Sequence, residues 1–60
     1  MRAREIERII MDDGWRVKSQ RGSHRHYVHP TKPGKVTIPF HPGDLDKKTV
    51  DSILKQAGLK

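Results

Sequence analysis

Two apolar stripes of helical period at the ends of the chain, three short segments of period two between them, and Gly/Pro punctuation at each junction predict an α+β domain of order α-β-β-β-α. Consecutive strands joined by short turns imply a three-stranded antiparallel sheet in a meander, and two amphipathic helices then cover one of its faces. A chain of 60 residues is expected to hold one domain, 1–60, whose core is small.

The first helix is expected from Ala3 to Asp13. Ala3, Ile6, Ile9, Ile10 and Asp13 recur at three-to-four-residue spacing, and Gly14 is placed to end the helix in a left-handed turn. Arg4, Glu5, Glu7 and Arg8 fall on its wet face. Three strands follow. Trp15–Ser19 alternates apolar with polar residues, Arg25–His29 is aromatic and β-branched, and Lys35–Ile38 alternates again. Their boundaries are Arg21-Gly22-Ser23, then Pro30 through Gly34, then Pro39 through Gly43. Trp15, Val17, Tyr27, Val36 and Ile38 are expected to meet the helices, leaving Arg16, Lys18, Lys35 and Thr37 on an open basic face. The second helix begins after Asp46, a good N-cap, and presents Val50, Ile53, Leu54 and Ala57 as one stripe. Gly58 at C′ places Leu59 at C″ and Leu54 at C3, the contact pair of a Schellman ending.

Lys and Arg number 13 against 7 Asp and Glu, a formal charge of +6, and the sequence pI is about 10.2. That excess favours a polyanionic partner such as RNA, with charge-based solubility as the plain alternative. No cysteine is present, which excludes a disulfide framework, a thiolate nucleophile and a zinc knuckle, and fits a reducing cytoplasm. The charged N-terminus has neither the apolar core of a signal peptide nor a run long enough for a bilayer, and no interfacial-helix pattern marks a membrane partner.

The strongest chemical candidate is His24, in Arg21-Gly22-Ser23-His24-Arg25-His26-Tyr27. An imidazole takes and gives a proton near neutrality, and neighbouring guanidinium groups attract phosphate. Ser23, Arg25 and the Gly22 amide are candidate donors to phosphate oxygens. Lys18, Arg21, Arg25, Lys47 and Lys48 are candidate contacts to an RNA backbone. Lys47 and Lys48 occupy the first turn of the second helix, where the macrodipole disfavours cations and a bound phosphate reverses the penalty, although Asp44 and Asp46 lie close enough to neutralise them.

Strand alternation sends His24 and His26 to one face and His29 to the other, with Tyr27 inward. The His-x-His-x-x-His string is therefore a poor tetrahedral metal site, and no metal or small-molecule cofactor is expected. His41, in Pro39-Phe40-His41-Pro42, is in reach of a substrate or serves only the turn. Trp15 and Tyr27 are assigned to the core rather than to base stacking.

The ordered set Asp13-Gly14-Trp15, Gly22-Ser23-His24, Tyr27, His29-Pro30, Val36-Thr37-Ile38-Pro39, His41 and Leu45 through Leu59 resembles the HicA toxins of type II toxin–antitoxin systems over nearly the whole chain. The resemblance implies a double-stranded-RNA-binding-domain-like fold and an mRNA interferase, an endoribonuclease whose functional histidine falls on His24. It also implies a HicB-like antitoxin that binds the toxin and occludes its active site. Two rivals from other classes stand beside it: a non-catalytic RNA-binding module, and an interaction protein whose basic face meets an acidic partner.

Overall fold

In a computed structural model describing residues 1–60, the order is α1 (Ala3–Asp12), β1 (Arg16–Arg21), β2 (His24–Val28), β3 (Val36–Pro39) and α2 (Lys47–Gln56). The strands form one antiparallel sheet in the order β1-β2-β3. The expected α-β-β-β-α architecture is therefore the observed one. No helix is long and apolar enough to cross a membrane.

Both helices end as their glycines dictate. At α1, the Gly14 amide donates to Met11 O at 3.0 Å and the Trp15 amide to Ile10 O at 3.1 Å. The α2 end repeats the pattern, with Gly58 N to Lys55 O at 3.1 Å and Leu59 N to Leu54 O at 2.8 Å. These are paired Schellman bonds, each closed around a glycine of positive φ, 109° at Gly14 and 73° at Gly58. The start of α2 is capped as expected, since Asp46 Oδ1 accepts from the Thr49 amide at 2.8 Å.

The core contains Ala3, Ile6 and Ile10 of α1, Trp15, Tyr27, Val36 and Ile38 from the strand region, and Ile53 and Ala57 of α2. Trp15 precedes β1 rather than opening it, and its ring is carried inward by the Schellman turn. Two apolar expectations fail. Val17 is 46% exposed and Ile9 39%. Val17 pairs with Tyr27, but both helices pack on β3 at the far edge of the sheet, and β1 lies exposed along its full length. A register shift between Val17 and Ser19 further bends β1. Ile9 lies at the margin of a stripe whose centre, Ile6 and Ile10, is wholly covered.

Two polar residues also depart from their expected places. Arg16 does not join the open sheet face: its guanidinium donates to Met11 O at 2.9 Å and Trp15 O at 2.8 Å, capping the carbonyl end of α1. Glu7 leaves the wet face of α1 for a half-buried pairing with β2, described below.

The loop before β3 holds a fastener that turn punctuation did not reveal. Lys32 Nζ donates to Asp13 Oδ2 at 2.5 Å and to Ala57 O at 3.1 Å, so one ammonium joins the C-terminal ends of both helices, where the macrodipole favours positive charge. On the edge strand β3, Gln56 Oε1 of α2 accepts from the Thr37 amide at 3.1 Å, satisfying a donor that would otherwise face a neighbouring chain.

These contacts set the pH range of stability. The Lys32 hydrogen bond holds Asp13 below the usual carboxylate range, the Thr49 amide does the same for Asp46, and Lys60 for Asp51. A depressed folded value contributes stability above the unfolded value, about 3.9, and loses it as pH falls through the folded one. Tyr27 moves the other way: burial, then its hydrogen bond to Glu7, raises it well above the ordinary phenol value. Its contribution is complete below the unfolded value of about 10 and is lost as pH rises beyond it. Melting temperature is expected to hold level between these limits and fall on both sides; circular dichroism melts from pH 2 to 11 test this, and a flat profile would contradict it.

Candidate active site

The β1–β2 hairpin turns at Gly22 and Ser23. Gly22 has φ 58° and no other residue of the turn is positive, the sign pattern of a type II′ turn with glycine first. Directly beyond the turn, His24 pairs with Arg21 of β1 on one side and Pro39 of β3 on the other. The ladder runs one step further, because the Phe40 amide donates to Ser23 O at 2.7 Å. His24 is thus held on a central strand with its side chain exposed on the face opposite Tyr27.

Two of the four histidines are engaged by the protein and two are not. His29 is structural: its side chain is 8% exposed, and its ring meets Trp15 edge-on at 5.2 Å between centroids. Its Nδ1 accepts from the Thr31 and Lys32 amides, both at 3.1 Å, so the remaining hydrogen lies on Nε2, which donates to Asp13 O at 2.7 Å. This places it opposite His24, as alternation requires. His26 is tied across the sheet to Thr37 Oγ1 at 3.0 Å. His24 and His41 have no hydrogen bond within the chain, and their rings stand edge to face with centroids 6.2 Å apart. No group of three His, Asp or Glu side chains is arranged to hold a metal ion.

Arg25 is engaged inward rather than outward. Its Nη1 donates to Glu7 Oε2 at 2.7 Å, its Nε to Gln20 Oε1 at 3.1 Å, and its guanidinium lies over the Phe40 ring at 4.0 Å from the centroid. Tyr27 Oη donates to the same Glu7 oxygen. The Glu7 carboxylate raises Arg25 above its ordinary value, so its charge is permanent. Arg25 therefore anchors β2 to α1, with two of its N–H donors and one face of its guanidinium engaged within the protein.

The remaining basic candidates separate into two groups. Lys18 and Arg21 line a shallow depression of about 490 Å³ with Ser19, Gln20, His26 and Lys35 on the open sheet face. Lys47 and Lys48 are exposed in the first turn of α2 and line no depression with them. A second depression, of about 310 Å³, is lined by His41 together with Arg2, Arg4 and Phe40. The two arginines were not singled out in the sequence. Their position next to His41 follows from the Arg2–Asp44 bridge and the Leu45 amide bonded to Met1 O at 2.7 Å, long-range pairings without a local signal.

An α-β-β-β-α domain with an exposed imidazole pair beside a cationic sheet face defines a class of small basic α+β proteins. Residues 3–59 match the family model described as the HicA toxin of bacterial toxin–antitoxin, and the chain belongs to that family. It is thus a toxin of a toxin–antitoxin system, for which an antitoxin is the implied kind of partner. No curated protein matches it closely.

Proposed function

We propose that this HicA-family toxin is an endoribonuclease that cleaves mRNA with His24 as a proton-transfer group. One observation carries the reading: His24 is exposed at the end of a central strand with no internal hydrogen bond, whereas His26 and His29 are both engaged by the protein. RNA supplies its own nucleophile, the 2′-hydroxyl, so cleavage needs proton transfer and charge stabilisation rather than a metal-generated hydroxide. His24 assists as the 2′-oxygen attacks phosphorus. The O2′–P bond forms, the P–O5′ bond breaks, and a cyclic phosphate and a 5′-hydroxyl result.

Lys18 and Arg21, with Lys35, are the backbone contacts on the sheet face, and Ser23 and the Gly22 amide lie next to His24 in the chain as donors to phosphate. Lys47 and Lys48 serve a separate stretch of RNA at the start of α2. Arg25 is left out of the contact set, since it is held by Glu7 and Phe40. A HicB-like antitoxin covering the face of His24 accounts for inhibition, and acidic side chains on it complement the net charge of +6.

Incubating the purified protein with RNA in EDTA tests the assignment. Wild type is expected to cleave and His24→Ala to lose at least about a hundredfold in rate, with RNA binding and fold retained. Binding without cleavage by wild type would leave the non-catalytic module as the reading.

A further inference from the structure

His41 stands in the same situation as His24, and the backbone puts it there. The β2–β3 ladder pairs His24 with Pro39 and Ser23 with Phe40, and the next residue is His41. Phe40 is fixed on the inner side beneath Arg25, so alternation returns His41 toward the outer face that carries His24. Both rings lack internal partners, and their centroids are 6.2 Å apart. Exposed and unpaired, the two rings are close enough to approach one phosphodiester group from two sides.

From this pairing, we infer that His41 is the second catalytic residue, an acid–base partner of His24; the inference rests on the ribonuclease reading above. One imidazole, neutral, accepts the proton of the 2′-hydroxyl as the O2′–P bond forms. The other, protonated, gives its proton to the departing 5′-oxygen as the P–O5′ bond breaks. Exchange with water restores both, and no other reactant is required. Cations flank the pair: Arg21 is the cross-strand neighbour of His24, and Arg2 and Arg4 line the depression holding His41, while Asp44 and Glu5 adjoin Arg2. No carboxylate pairs with either ring. The arginines attract the phosphate to the pair.

The test is a pH profile of kcat/KM on an RNA oligonucleotide and on the same oligonucleotide with sulfur in place of the scissile 5′-oxygen, which leaves without a proton. Wild type should give a bell. His24→Ala and His41→Ala should each fall at least about a hundredfold and lose one limb of the bell. The variant lacking the acid should recover on the sulfur substrate and the other should not. His41→Gln, which keeps a polar side chain but transfers no proton, should behave as His41→Ala, with circular dichroism confirming the fold of each. The inference is overturned if His41→Ala or His41→Gln cleaves within about threefold of wild type with both limbs intact, or if either variant loses rate equally on both substrates with both limbs kept. Absence of cleavage by wild type overturns the ribonuclease reading itself, a result distinct from cleavage that needs His24 alone.

Discussion

Gly14→Ala is expected to destabilise the domain by about 2 to 4 kcal/mol, from a backbone contribution of about 1 to 2 and a similar loss of hydrogen bonding. Gly14 has φ 109°, and a Cβ built there lies 2.6 Å from His29 Nε2. That nitrogen is not a flexible chain end. It donates to Asp13 O while Nδ1 of the same ring is held by two amides, so the imidazole has no direction in which to yield. For a domain this small the loss is a large part of its total stability. Gly22→Ala supplies the control: its φ is 58° but nothing lies within 4 Å, leaving only the backbone contribution of about 1 to 2 kcal/mol. Urea denaturation separates the two. Combining Gly14→Ala with His29→Ala should cost less than the sum of the single changes, because removing the ring removes the clash. Strict additivity would show that the contact is not the source.

Whatever the chain encodes locally was legible before the structure. Glycines 14 and 58 mark Schellman ends, Asp46 marks a cap, and alternation puts His24 and His29 on opposite faces. Each signal depends on neighbours within about one turn. The misplaced residues depend on partners far away. Val17 alternates correctly and still faces solvent, because its burial is decided by where the helices lie across the sheet. Glu7 occupies a polar position on α1, and only the docking of β2 shows that it faces a tyrosine and an arginine.

The site divides in the same way. His24 was conspicuous because Gly22 and Ser23 announce a hairpin turn and strand alternation then exposes the next side chain. Its relation to His41 was invisible, since 16 residues lie between them and the ladder that joins them runs through a proline. Arg25 shows the reverse case. A guanidinium beside a candidate histidine reads as a phosphate ligand, yet alternation points it away from that histidine, and it packs on Phe40. Applied to Arg25 as it was to His29, the period-two rule placed it on the face of Tyr27.

The Glu7 carboxylate connects this packing to activity. Glu7→Ala is expected to lower stability by about 2 to 3 kcal/mol, because one oxygen serves both Arg25 and Tyr27, and removing it strands a half-buried charge and a buried phenol donor. Glu7→Gln should cost less. It retains an acceptor for the phenol and gives up only the charge. Below its melting point, the Glu7→Ala protein should cleave RNA several-fold more slowly with binding little changed. The reason lies in the chain: Arg25 adjoins His24, and its guanidinium lies over the ring of Phe40, the residue before His41 whose amide bonds Ser23 O. Loosening Arg25 therefore loosens both imidazoles, while Lys18, Arg21 and Lys35 still present their charges to the backbone. A variant that melts lower yet cleaves at the wild-type rate would show that Glu7 holds the fold without aligning the histidines.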